Sequence, residues 1–257
     1  EITPEGRVVL EYARKIVGEM DKMEEKVELL RDSDSGTITL AASTIPATYL
    51  LPAALSAFRR IHPDIRCFVR MSDSVIVQDM VLDGESDIGF AGSPPANRKL
   101  HGEPLWDDRL VLVLPVGHRW AERDRVTWEE IAAEPFVSRE AGSATRLTLE
   151  RFLAERGDLA LASFRVVAEM GSSESVKEAV VAGLGIAVLS RYAVRRECDE
   201  GIIACVPIEG PPVTRSFYVI YRKQFSMQRH HRLFLDFIRD YASTPEQERN
   251  KQGVYTV

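Results

Sequence analysis

The sequence predicts an α/β fold in which one lobe is split along the chain and a second lobe is inserted into it. Two observations carry this. Short apolar segments alternate with helical ones from Gly36 to Tyr241, the pattern of strand–helix units around a mainly parallel sheet. Prolines punctuate the chain at Pro115 and again at Pro207, Pro211 and Pro212, bracketing the second unit, so the chain crosses between lobes twice. A 45% apolar content over 257 residues is enough for a real core.

The first element is a long helix. Thr3, Pro4 and Glu5 read as an N-cap, a first-turn proline and a first-turn acid, and the run Asp32-Ser33-Asp34-Ser35-Gly36 stops the helix after Arg31. Val9, Ile16, Met23 and Leu30 recur every seven residues, with Ala13, Met20 and Val27 interleaved. Such a heptad stripe cannot be buried by the helix alone. It either packs along its own domain or pairs with a second chain. Pairing, as a linker and dimerisation helix over residues 1–33, is the expectation.

The first lobe takes residues 36–116 and 213–242. Strands are expected at Gly36–Ala42, Ile65–Met71, Asp87–Ala91, Arg109–Val116 and Ser216–Arg222, and helices at Pro46–Ile61, Ser74–Asp83 and Met227–Tyr241. The second lobe takes 117–212. Its strands are expected at Pro135–Ser138, Phe164–Glu169, Gly185–Ser190 and Ile202–Pro207. Its helices are expected at Thr127–Ala133, Ala144–Arg156, Ser173–Ala182 and Arg191–Cys198. The polar tail, 243–257, is expected to fray.

Charge and cysteine content narrow the function. A net charge of −6 argues against a chain that grips nucleic-acid phosphates by itself, so any DNA contact belongs to a part outside this sequence. Beginning at Glu1 rather than methionine, the chain reads as a fragment whose missing piece lies upstream. Cys67, Cys198 and Cys205 are an odd set with no CxxC pair, so three structural thiols in a reducing cytoplasm are expected rather than a disulfide framework, with a Cys198–Cys205 redox pair as the alternative. No run of about 18 apolar residues is present and no membrane contact is expected.

Ligands of open α/β sheets bind beyond the carboxyl ends of strands, where helix N-termini offer free N–H groups and partial positive charge. Small hydroxyl residues occupy four such junctions: Ser43-Thr44, Ser72-Asp73-Ser74, Ser143-Ala144-Thr145 and Ser172-Ser173. Each alone could be plain helix capping. Four in two facing lobes predict a shared cleft for a small carboxylate-, sulfate- or phosphate-like molecule. Arg146 is either a charge donor to that anion or a solvated helix residue, and Asp87 is expected to be structural.

The ordered set of segments TPEGRVVLEYARKIV, GTITLAASTIPATYLLPAALSAFRRIHPDI, DGESDIGFAG, REAGSATR and EMGSSESVKEAVVAGLGIAVLSRYAV resembles the LysR-type transcriptional regulators over residues 3–242. The resemblance implies two Rossmann-like lobes of the periplasmic-binding-protein type, a dimerising linker helix and a homodimer or homotetramer. It implies promoter DNA bound through an N-terminal winged helix-turn-helix absent from this chain. It also implies a small anionic effector lined by Ser43, Thr44, Ser74, Ser143, Thr145 and Ser173. Ala144 departs from the glycine common in related binding turns, and its methyl is expected to narrow the pocket or alter the turn.

Two other functions compete. A transporter's solute-binding protein shares the two-lobe plan but is expected to carry a secretion signal and no heptad helix. An enzyme is not expected. The five histidines form no telling spacing with Cys, Ser or carboxylates, His230 and His231 are adjacent on one helix and so point to different faces, and neither a P-loop nor a GxGxxG motif implies a cofactor.

Overall fold

The computed structural model of the chain describes residues 3–30, 35–157 and 159–244. Helix α1 spans Pro4–Leu30, and the Thr3 hydroxyl caps it by accepting from the Gly6 N–H at 3.1 Å. Val9, Ile16, Met20 and Met23 of the heptad stripe are all more than half exposed. The side chains of Val27 and Leu30, and the tail from 245, lie outside the described residues.

Lobe I is built on β1 (Gly36–Ala42), β2 (Ile65–Met71), β3 (Ile88–Ala91) and the two long strands β4 (Leu100–Pro115) and β9 (Val213–Arg222). Neighbouring residues feed opposite sides of this sheet. Leu40, Phe90 and Val219 join a core with Phe58 of α2 (Leu51–Ile61) and Phe234 of α8 (Arg229–Ser243). Ala41, Ala91 and Ile220 join another with Val77 and Val81 of α3 (Ser74–Asp83). Burial on both faces explains why these strands read as continuous apolar runs. Phe58 meets Phe234 edge-on at 5.1 Å, locking α2 to α8 for about 0.5–1.5 kcal/mol beyond area burial. A short π-helical turn, Pro46–Leu50, opens α2, so Pro52 falls in the first α-turn, where a missing N–H costs nothing.

Lobe II holds α4 (Trp128–Ala133), β5 (Phe136–Arg139), α5 (Ala144–Arg156), β6 (Val166–Met170), α6 (Ser173–Val181), β7 (Ala187–Ser190), α7 (Arg191–Asp199) and β8 (Ile203–Val206). The expectation of a mainly parallel sheet is corrected. β1 runs parallel to β2 and β3, and β5 to β6, but β9 lies antiparallel to β3 and β4, and β4 antiparallel to β7 and β8. The two strands that join the lobes carry the chain out and back, so as neighbours they run in opposite directions. β4 pairs with β9 from Leu100 to Leu110 and with β7 and β8 from Leu110 to Pro115, so the first crossing lies inside β4.

Two further expectations are corrected. Cys198 at the end of α7 is disulfide-bonded to Cys205 of β8, their Cα atoms 6.1 Å apart, which leaves Cys67 as the free thiol. The tight return from α7 into β8 brings the pair within bonding range, so the alternative of a Cys198–Cys205 pair holds over three free thiols. His230 and His231 do not diverge. Both are buried at the base of α8 with ring centroids 4.1 Å apart.

Candidate functional site

The carboxyl ends of β1 and β3 and the start of α3 supply the lobe I wall of a cavity. Ser43 N–H donates to the Phe90 carbonyl at 2.8 Å, which holds the β1 turn against β3. The Ser74 hydroxyl accepts from Gly92 N–H at 3.0 Å, pinning the α3 N-terminus to the end of β3. Lobe II supplies the α5 N-terminus with Ser143, Ala144 and Thr145. These turns meet: Ser43, Thr44, Ile45, Asp73, Ser74, Arg139, Ser143, Ala144, Thr145, Arg215 and Phe217 line one cavity of about 20 Å³, room for about one water.

Five of the six sequence-predicted residues therefore sit around one hollow. Ser173 is set back, fully buried, with its Oγ accepting from Arg139 Nη1 at 2.8 Å. Arg146 does not reach the cavity lining. It pairs with Glu150 and Glu169, at 2.8 and 2.6 Å, within its own lobe. Asp87 is structural, accepting from Thr39 N–H at 2.7 Å and Thr39 Oγ1 at 2.6 Å. Ala144 faces the other lobe: a Cβ on Gly92 would lie 2.8 Å from the Ala144 methyl, so the two lobes approach closely here.

Sequence reasoning missed two arginines. Arg139 ends β5, and a cation closing an apolar strand was the available signal. Its guanidinium is buried and clasped by Glu140 at 2.7 and 2.6 Å. Arg215 lies on β9, just before the apolar run from which the strand was read. Its side chain is 6% exposed and bonds Asp108 of β4 at 2.8 Å. Asp108 also accepts from Ser190 Oγ at 2.8 Å, at the N-terminus of α7. Burial pushes the Asp108 carboxyl above its usual range although Arg215 and Ser190 oppose this, and burial pulls Arg215 below its own although Asp108 opposes it. The pair bridges the two strands that join the lobes. The Arg139 charge also disfavours the charge on Arg215.

Two α/β lobes joined by crossing strands around a polar cavity define a ligand-binding domain of the periplasmic-binding-protein kind. Residues 31–243 match the family described as the LysR substrate binding domain, and the chain belongs to that family. It is 28% identical over 237 residues to the HTH-type transcriptional activator CmpR of Synechocystis, covering 92% of this chain and 76% of that protein. It is 32% identical over 223 residues to the RuBisCO operon transcriptional regulator of Allochromatium vinosum, covering 86% and 72%. Its fold superposes on the regulatory domain of Synechocystis CcmR in complex with 2-PG with a TM-score of 0.74 at 25% identity, covering 82% of this chain and 99% of that one. These relatives are transcriptional regulators, which sets aside the solute-binding alternative.

Proposed function

We propose that this chain senses a small anionic metabolite in the inter-lobe cleft and passes the signal through α1 to a winged helix-turn-helix on promoter DNA. In this reading Ser43, Thr44, Ser74, Ser143 and Thr145 line the bound effector, and Ser173 supports it through Arg139. The observation that carries it is the convergence of hydroxyl-bearing strand-end turns from both lobes on one cavity that also holds two buried guanidiniums. A ligand bridging the lobes binds their closed arrangement better than the open one, and that difference in affinity is what a regulator requires. The exposed apolar stripe of α1 supports pairing into a homodimer or homotetramer. A cytoplasmic location follows from promoter DNA as the output.

Calorimetric titration of the chain with 2-PG, inorganic phosphate, sulfate and small carboxylates tests the proposal. Saturable binding that weakens in Ser43→Ala and Thr145→Ala is the expected result. Failure of every anion to bind the folded chain removes the basis for effector control at this cleft.

A further inference from the structure

Two residues that line the cavity each carry a buried side-chain atom without a partner. Arg215 Nη2 and Ser143 Oγ are both buried and neither makes a hydrogen bond. The Arg215 side chain is 6% exposed and Ser143 is 3% exposed. Ser143 stands at the N-cap of α5, yet its hydroxyl makes no capping bond. Buried polar groups almost always find partners, so two orphans on residues that line one void ask for a third party.

The other buried guanidinium shows the contrast. Every nitrogen of Arg139 already has an acceptor: Nε and Nη2 on Glu140, Nη1 on Ser173. Arg215 uses Nε on Asp108, lays its guanidinium over the Phe217 ring at 4.8 Å, and leaves Nη2 free. Asp108 holds it on the strand pair that joins the lobes, so a ligand on Nη2 touches the joint as well as the walls.

Resting on the reading of this cleft as the effector site, we infer that Arg215 is its specificity-determining residue: Nη2, together with Ser143 Oγ, takes the compact oxyanion of the effector, a carboxylate, phosphoryl or sulfuryl group. A guanidinium N–H can only donate, and the α5 amides beside it can only donate. One bond from a planar cation and one from a hydroxyl suit a small planar or tetrahedral oxyanion and reject an amine. A cavity of about 20 Å³ admits no large group at this depth in the closed arrangement, so the anionic end goes in and the rest of the molecule lies outward.

The test compares variants by calorimetry against inorganic phosphate, sulfate, acetate and 2-PG, with ethanolamine and glycerol as cationic and neutral controls. The wild-type chain binds at least one oxyanion and neither control, and which oxyanion binds separates the carboxylate source from the phosphoryl and sulfuryl ones. Ser143→Ala weakens that binding by about three- to ten-fold, and R215Q combined with D108N, which removes both buried charges together, weakens it by about ten-fold or more. Wild-type affinity in a folded R215Q/D108N chain overturns Arg215's role and leaves the sensor reading standing. Binding of a control instead of an oxyanion overturns the inferred chemistry. No binding at all brings down both. Should the double variant not fold, the Arg215 Nε–Hε resonance of the wild-type chain serves: it moves on saturation with the bound anion, and an unmoved resonance overturns the inference.

Discussion

Tyr49, in the π-helical turn of lobe I, donates its hydroxyl to Glu174 in the first turn of α6 in lobe II. Glu174 also holds Lys177 Nζ at 2.9 Å, and Lys177 holds Glu197 of α7 at 2.6 Å. One tyrosine hydroxyl therefore ties the first lobe to two helices of the second. Tyr49→Phe removes it with little change of volume. The expected cost is about 0.5–1.5 kcal/mol, which lowers the ratio of closed to open molecules by about two- to twelve-fold. Ligand affinity then drops with the closed fraction, and small-angle scattering shows a larger mean radius without ligand. Unchanged radius and affinity in Tyr49→Phe would show that this bond does not hold the lobes together.

Gly92 and Ala144 make another contact between lobes, and it is steric. A methyl on Gly92 meets the Ala144 methyl at 2.8 Å. Gly92→Ala forces the lobes apart and costs about 1–3 kcal/mol or blocks closure. Gly92→Ala with Ala144→Gly swaps the methyl to the other side and regains most of the loss. A double-mutant cycle on melting temperature and ligand affinity measures the coupling, and additive effects would refute direct contact.

The base of α8 sets a pH dependence. Burial and the neighbouring His231 lower His230 to about 4, while burial of Asp87 is outweighed by His231, 3.6 Å away, and by Thr39, which lower it to about 2. For His230 the unfolded chain takes its proton near pH 6.5, before the fold does, so stability is full above that pH and declines down to about 4. For Asp87 the loss comes lower, from about pH 4 down to about 2. Calorimetric melting between pH 4 and 7 is expected to show the first decline, and His230→Gln flattens it. A flat wild-type profile over that range contradicts a buried neutral His230.

The disulfide predicts a thiol count. Denatured without reductant, the chain exposes one titratable thiol, Cys67, and after reduction three. Reduction also lowers the melting temperature, because the short loop it frees contributes about 2–3 kcal/mol through chain entropy. Three thiols before reduction would restore the expectation drawn from spacing.

The elements that were legible in the sequence are those whose residues all serve one purpose. Gly36–Ala42 and Ser74–Asp83 are bounded as expected because apolar burial and turn residues agree there. Leu100–Arg109 was not legible as strand. Its side chains alternate between two environments, it carries a bulge at Pro104, and its partner β9 lies more than a hundred residues away. The hydroxyls of the cavity were visible because capping chemistry marks them. Arg139 and Arg215 were not, because a buried arginine looks like a surface one until the carboxylate that neutralises it, Glu140 or Asp108, is placed beside it.

Helix α1 provides the last test, and it separates assembly from folding. The core clusters start at Ile38, Leu110 and Ala41, and among the described residues no α1 side chain belongs to them. Val9, Ile16, Met20 and Met23 are instead 52–68% exposed along one helix, an arrangement that becomes favourable only when a second apolar surface covers it. Ile16→Glu with Met20→Glu places two charges on that stripe. Because no described α1 side chain packs in the lobe cores, their melting temperature is expected to stay within about 2–3 °C of wild type, the shift of a sub-kilocalorie change in a domain of this size. Charges facing each other across a paired helix are strongly disfavoured, so sedimentation velocity is expected to show a smaller assembly for the variant. If the variant sediments as wild type at the same concentration, the α1 stripe does not pair with a second chain, and its exposure needs another cover.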